Sequence, residues 1–337
     1  MHETIRLLID EQSQIADARR VARVQAQNLG FDETRAEQVA IVTTEACTNL
    51  LKHAGSGEIL LLSLDGDQAD PPLLEILALD KGPGIGNLDR ALRDGFSTRG
   101  SAGEGLGAIT RLSSASDFYS ESGRGAAVLA RWTAGPQPPS RRPLPVQFGA
   151  VNVAKPGQEV CGDAWGVEHT PDYSIVMVAD GLGHGIDART AAAEAVRILH
   201  SAPGLSPAEI VERAHLALRS TRGAALAVAR IDRQREHVTF SGVGNISAHI
   251  YSGMTEGQHL VSVHGTAGFQ TARIREFEYP WPDRGMLLMY SDGLGSHTGP
   301  TAYPGLALRD PSLIAGVLYR DFARGNDDAT VVVARAA

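Results

Sequence analysis

The sequence has little of several things, and each shortage excludes a class of protein. Only 2 cysteines occur in 337 residues, so neither a disulfide framework nor a cysteine-rich zinc site can be built. Cys47 lies among apolar residues of an expected helix and reads as core. Cys161 reads as a small buried filler beside Asp163. Basic residues are outnumbered, 31 Lys+Arg against 39 Asp+Glu, and the net charge of -8 argues against a nucleic-acid-binding surface. No apolar run approaches the ~20 residues that span a bilayer. No apolar signal region follows Met-His-Glu-Thr-Ile-Arg at the start. The expectation is a cytoplasmic protein with no nucleic-acid or membrane partner. No internal repeat is visible. What is present is apolar material, 43% of residues, enough for real cores, in a length that favours two domains.

The clearest boundary is 134–145, Ala-Gly-Pro-Gln-Pro-Pro-Ser-Arg-Arg-Pro-Leu-Pro, where proline removes backbone donors and favours extended chain. Domains are expected at 1–133 and 146–337. In the first, helices are expected from Gln14 to Leu29 and from a cap at Asp32 to about Ala54, stopped by Gly55. Val39, Val42, Ala46 and Leu50 recur at helical spacing and should face a sheet. Strands are expected at 58–64, 73–79 and 125–132. Helices preceding and interleaved with a mixed sheet give a two-layer α/β sandwich. In the second domain strands are expected at 147–154, 173–179, 224–231, 238–241, 247–251, 286–290 and 330–334, with helices at 188–200 and 207–219. This is a β-sandwich covered by helices rather than a doubly wound sheet, and the fold class overall is α+β.

The first domain carries residues suited to ATP. Asn49 offers a neutral oxygen to a hard cation. Glu45, one turn earlier on the same face, is placed to be a general base toward a hydroxyl or water. Asp80 follows an apolar strand and can accept a hydrogen bond from an adenine amine. Gly82, Gly84 and Gly86 let backbone approach the base. Gly103, Gly105 and Gly107 precede an expected helix over 108–113, and free amides at a helix start suit phosphates. Neither a G-x-G-x-x-G fingerprint nor a Walker lysine motif is present.

In this order these segments resemble the GHKL (Bergerat-fold) ATPases, in particular the anti-sigma-factor and switch-protein serine kinases of the RsbT and RsbW type. The resemblance runs from about Ile5 to Trp132 and is carried by Glu45–Ala54 (EACTNLLKHA), 56–59 (SGEI), Asp80–Ile85 (DKGPGI), 94–98 (DGFST) and 103–112 (GEGLGAITRL). It implies Glu45 as catalytic base and Asn49 as magnesium ligand. Asp80 would contact adenine, Gly82 and Gly84 would line the base, and Gly103, Gly105 and Gly107 would line the phosphates. His53 reads as a helix-end histidine, not a phospho-acceptor, because no dimerisation helix carries it.

The second domain delivers isolated aspartates at strand ends. Asp163, Asp180, Asp292 and Asp327 are far apart in sequence, yet each abuts an apolar stretch. Ala-Asp-Gly-Leu-Gly-His-Gly follows Ser-Ile-Val-Met-Val, Ser-Asp-Gly follows Met-Leu-Leu-Met-Tyr, and Asn-Asp-Asp precedes Ala-Thr-Val-Val-Val. Oxygen-only ligands select magnesium or manganese over zinc, and two such ions can drive hydrolysis of a phosphoester. From about Phe148 to Arg335 the sequence resembles the PPM-type serine/threonine phosphatases of the SpoIIE and RsbX branch. The resemblance implies Asp163, Asp180, Asp292 and Asp327 as ligands of two Mn2+ or Mg2+ ions, with a carbonyl from Gly181. Asp328, the following residue, is the alternative in the last motif. Gly162 stands where many eukaryotic members carry an extra acid. His184 has a turn role or an acid role, and the motif leaves both open.

Together the resemblances imply a bifunctional partner-switching regulator that phosphorylates and dephosphorylates Ser/Thr on a STAS-domain partner, an anti-sigma antagonist or a stressosome protein. An ATP-binding module that regulates the phosphatase without phosphotransfer is the alternative. Glu45 favours catalysis, since a pure binder would not need that carboxylate. A third reading, a nucleotide hydrolase acting on small phosphoesters, is separated by activity on phosphoproteins.

Overall fold

A computed structural model of the chain describes residues 3–64, 71–86, 88, 105–135, 146–202, 204–253 and 257–336. The chain divides into two units, Met1–Ser140 and Arg141–Ala337.

In the first unit β1 (Glu3–Ile9), β2 (Gly57–Leu64), β3 (Leu73–Leu79), β4 (Ala115–Ser120) and β5 (Ala126–Thr133) form a sheet of order β1-β2-β3-β5-β4. Every described pair is antiparallel, not mixed as expected. The excursion through the third helix and β4 returns β5 alongside β3 in the opposite sense. Helices α1 (Ser13–Asn28), α2 (Glu33–Asn49) and α3 (Gly105–Leu112) lie on one face. Asp32 caps α2 by accepting the Arg35 N–H at 2.7 Å, which satisfies one of the four orphan donors of a helix start. The helix runs on as a π-helical turn, Leu50–Ala54, and stops at Gly55, whose φ of 85° is left-handed. Val39, Val42, Ala46 and Leu50 are buried in one core with Ile59, Leu61 and Ile76. That stripe holds α2 on the sheet and turns its other face, with Glu45 and Asn49, outward.

The second unit has two sheets. β7 (Asp163–His169), β8 (Tyr173–Gly181), β9 (Ala224–Asp232), β10 (His237–Val243) and β13 (Phe277–Pro280) form one, in the order β13-β10-β9-β8-β7. β6 (Val146–Val153), β11 (Ser247–Ser252), β12 (Gln258–His259), β14 (Gly285–Tyr290) and β15 (Ala329–Ala336) form the other, in the order β12-β11-β14-β15-β6. α4 (Ile186–Ser201) and α5 (Pro207–Ala217) pack on the first sheet. α6 (Pro311–Phe322) packs on β6 and β15. The result is an α-β-β-α arrangement with a third helix beyond the two expected. The start of α6 is set by Asp310, which accepts the Ser312 N–H at 2.9 Å, and by Pro311 in its first turn. The helix sits so close that a Cβ on Gly149 of β6 would lie 2.0 Å from the Ser312 nitrogen. Ser174 to Ala179 in β8 are all buried, the signature of a strand covered on both faces. Among the described residues no helix is long and apolar enough to cross a membrane.

Candidate active sites of the two units

In the first unit, α2 and the start of α3 meet at Gly105. A Cβ there would lie 3.3 Å from Glu45 Oε2, 3.2 Å from Asn49 Nδ2 and 3.4 Å from Asn49 Oδ1. A carboxylate and an amide one turn apart are thus gathered against one glycine at the first described residue of α3. The helix is described from Gly105, earlier than expected, so Gly107 lies within its first turn and is buried rather than preceding it. Gly103 and the 94–98 segment lie outside the described residues.

Asp80 directly follows β3, and its Oδ1 accepts the N–H of Gly82 at 2.8 Å and of Ala126 at 3.2 Å. Two backbone donors fix the direction of that carboxylate. The turn after it is pinned to the β4–β5 hairpin, with the Ile85 N–H donating to Ser120 Oγ at 2.7 Å. Gly84 is required here: its φ is 75°, and a Cβ would come within 2.3 Å of the Glu121 carbonyl oxygen. A Cβ on Gly82 would lie 2.6 Å from that of Ala54. Gly86 has open space around it, so close approach does not require a glycine there. Gly125, which the sequence did not single out, is as constrained as Gly84. A Cβ there would sit 2.0 Å from the Asp80 carbonyl oxygen, at a φ of 83°.

In the second unit, Asp163 opens β7 and pairs across the ladder with Asp180 near the end of β8. Asp292 follows β14, and Asp327 precedes β15. Asp163 is buried at 1% exposure. It accepts a hydrogen bond from Ser291 Oγ at 2.7 Å, and Ser291 Oγ in turn accepts the Thr330 N–H at 3.0 Å. Asn152 Nδ2 donates to Thr330 Oγ1 at 2.8 Å. This network ties the ends of the two sheets together. Burial pushes the proton affinity of Asp163 up, against the hydrogen bonds that favour its charged form. Asp180 is pushed up by burial first and then by the charges of Asp163, Asp292 and Asp327. Asp292 is raised by burial and by Asp327. Five carboxyl groups, with Asp328 acting through Asp163, therefore form one electrostatic set, the condition a divalent cation relieves. Among the described residues no three acidic or imidazole groups are drawn together at the spacing of ligands around one ion. The donor set is all oxygen and fits magnesium or manganese.

Asp327 and Asp328 diverge. Asp327 is one of the charges felt by Asp180 and Asp292. Asp328 is buried, accepts the Lys155 N–H at 2.8 Å through Oδ1, and leaves Oδ2 buried without a hydrogen bond. That Oδ2 would lie 2.6 Å from a Cβ on Gly162, so the aspartate fills the space that a side chain at 162 would need. Gly181 is held by α4, since a Cβ there would meet the Ala188 carbonyl oxygen at 2.0 Å. His184 is exposed between Gly183 and Gly185, both at positive φ. Asn245, which the sequence did not single out, donates from Nδ2 to Asp292 Oδ2 at 2.8 Å. Its only sequence signal is the Gly-Asn turn between β10 and β11.

A helix-backed antiparallel sheet with Glu45 and Asn49 on the outer face of α2 and Asp80 just past β3, and a double sheet with aspartates at its strand ends, define two classes of domain: a kinase-like ATPase domain joined to a PPM-type serine/threonine phosphatase domain. Residues 9–132 match the histidine kinase-like ATPase domain family and residues 170–337 the Stage II sporulation protein E (SpoIIE) family, so the chain carries a domain of each kind. It is similar to the serine/threonine-protein kinase RsbT of Bacillus subtilis (strain 168), 33% identical over 35% of this chain and 88% of the relative. It is also similar to the phosphoserine phosphatase RsbX of the same organism, 24% identical over 44% of this chain and 75% of the relative. A solved chain from work on the bacterial stressosome, a modular system adapted to control secondary messenger signalling, superposes with a TM-score of 0.53. It shares 28% identity and covers 56% of this chain and 99% of its own. RsbX in complex with magnesium superposes with a TM-score of 0.50 at 20% identity, over 57% of this chain and 96% of its own, and shows the shared fold.

Proposed function

We propose that the chain both phosphorylates and dephosphorylates Ser/Thr on a STAS-domain partner, an anti-sigma antagonist or a stressosome protein, in the cytoplasm. The observation that supports the kinase half is the packing of Gly105 against both Glu45 and Asn49, which brings a carboxylate and an amide together at the first described residue of α3. Glu45 takes the proton from the partner's hydroxyl. That oxygen then bonds to the γ-phosphorus of ATP as the bond to the β-γ bridging oxygen breaks, leaving phosphoprotein and ADP. Asn49 would hold magnesium on the phosphates. Asp80, aimed by Gly82 and Ala126, would take the adenine amine, with Gly82 and Gly84 beside the base and Gly103, Gly105 and Gly107 along the phosphates.

In the phosphatase half, Asp163, Asp180, Asp292 and Asp327, with the Gly181 carbonyl, would hold two Mg2+ or Mn2+ ions. Such ions, when bound, supply Lewis acidity and charge neutralisation to an in-line displacement. Hydrolysis adds water across the phosphoester and returns the free hydroxyl and inorganic phosphate. Ser291 and Thr330 orient Asp163, and Asn245 orients Asp292. Joining both activities in one chain raises the effective concentration of each around a bound partner.

The test is to capture partners on the intact protein with ATP present and map their phosphosites. A captured STAS-domain protein newly phosphorylated on Ser or Thr is the expected result. Capture without phosphorylation would favour the regulatory ATP-binding module instead.

A further inference from the structure

His249 of β11 stands directly opposite His259 of the two-residue edge strand β12. Their imidazole centroids are 5.1 Å apart, with the rings inclined at 71°. A zinc–nitrogen bond of about 2.0–2.1 Å puts an imidazole centroid about 3.2 Å from the ion, so two imidazoles at a tetrahedral angle lie about 5.2 Å apart. The backbone register therefore already presents the rings at the separation that one shared ion sets.

The surroundings hold one of these rings in place. His249 stacks on Tyr290 at 6.0 Å and 5°, and lies 6.2 Å from Tyr251. Tyr251 is itself walled in: a Cβ on Gly257 would come within 2.7 Å of its ring, and one on Gly299 within 2.6 Å of its hydroxyl. His249 Nδ1 is buried with no hydrogen-bond partner, a nitrogen that needs either a hydrogen-bond partner or, when unprotonated, a cation. Burial, and then the neighbouring His259, push the His249 pKa down to about 4. Its ring is thus neutral near pH 7, the form that ligates metal. His259 is exposed, which leaves the pair open to solvent.

We propose that His249 and His259 form a second metal site, a two-imidazole site for a borderline divalent cation such as Zn2+, completed by water. Nitrogen donors favour Zn2+, Ni2+ or Cu2+, whereas the aspartate set favours Mg2+ or Mn2+, so the two sites sort different ions. An ion there pins the edge strand β12 to β11.

The test titrates Zn2+ alone into the full chain by calorimetry, in millimolar Mg2+, while following the histidine Cε1–H resonances by NMR. Expected is one zinc site that survives Asp180→Asn and shifts two histidine resonances at stoichiometric zinc. Asp180→Asn separates this site from zinc held by the aspartates. His259→Asn, at an exposed position that leaves the core untouched, should weaken the site at least tenfold, and His249→Asn should do the same. Zinc binding of unchanged stoichiometry and affinity in His259→Asn overturns the proposal. So does the absence of any zinc site in Asp180→Asn.

Discussion

Asp180→Asn should stabilise the metal-free protein while removing its phosphatase activity. Asp180 is pushed up by burial and by the charges of Asp163, Asp292 and Asp327. Its charged form is therefore a liability in the folded state. An aspartate whose folded pKa is raised takes up protons on folding between its unfolded value, 3.8, and the raised value. Stability is then full below the unfolded value and is lost as pH rises through the folded one. Each pH unit by which a carboxyl is held up costs its charged form about 1.4 kcal/mol. With relaxation and its coupling to Asp163 discounted, the cost at pH 8 is on the order of 2–4 kcal/mol. For a unit of this size that is roughly 5–10 °C in melting temperature. The assay is calorimetry of the full chain in a chelator at pH 5 and pH 8, following the transition that divalent ions shift. The variant should melt several degrees above wild type at pH 8, and the gap should narrow toward pH 5. Added Mg2+ or Mn2+ should raise wild type more than the variant, because binding to the native state alone stabilises by linkage. A variant no more stable than wild type at pH 8 in chelator would refute the electrostatic account of the aspartate set.

Two further outcomes follow from the same geometry. Asp327→Asn should abolish metal-dependent turnover of a phosphorylated substrate. Asp328→Asn should lower it less, by about the 10–100-fold typical of a residue acting through a ligand, and the reverse order in steady-state assays would exchange their roles. A fragment beginning at Leu144 should fold and keep metal-dependent phosphatase activity, because the chain divides into two units at Ser140 and Arg141; an insoluble fragment beside an active full chain would show an interdependent core.

Local patterns were legible in the sequence where a single element contains the whole signal. The stripe of Val39, Val42, Ala46 and Leu50 and the Glu45/Asn49 pair both follow from one helical repeat. The strands that lead into Asp80, Asp180 and Asp292 are near-continuous apolar runs and were readable as such. Other elements hid their signal. α6 carries the Asp310–Pro311 start signal, but every residue from Pro311 to Arg320 is buried, so no polar face marks a helical period. β1 alternates apolar and polar residues only weakly. β7 is seven residues long and interrupted by Gly166, a glycine that lets Val196 approach. Long-range convergence entered the sequence reading only through the family resemblances, because no single element contains it. The meeting of Gly105 with Glu45 and Asn49, the bond from Asn245 to Asp292, and the divergence of Asp327 from Asp328 all depend on elements distant in sequence.

The most direct test of a two-way switch is one phosphotransfer time course on a purified STAS-domain partner, with ATP and divalent ion, run with wild type, Glu45→Ala and Asp180→Asn. Glu45→Ala should still bind ATP yet add no phosphate, while still removing phosphate from pre-phosphorylated partner. Asp180→Asn should phosphorylate the partner and leave it phosphorylated. Wild type should reach an intermediate level that falls when ATP is exhausted. Phosphorylation of the partner by Glu45→Ala at the wild-type rate, or loss of phosphate in Asp180→Asn at the wild-type rate, would contradict the account.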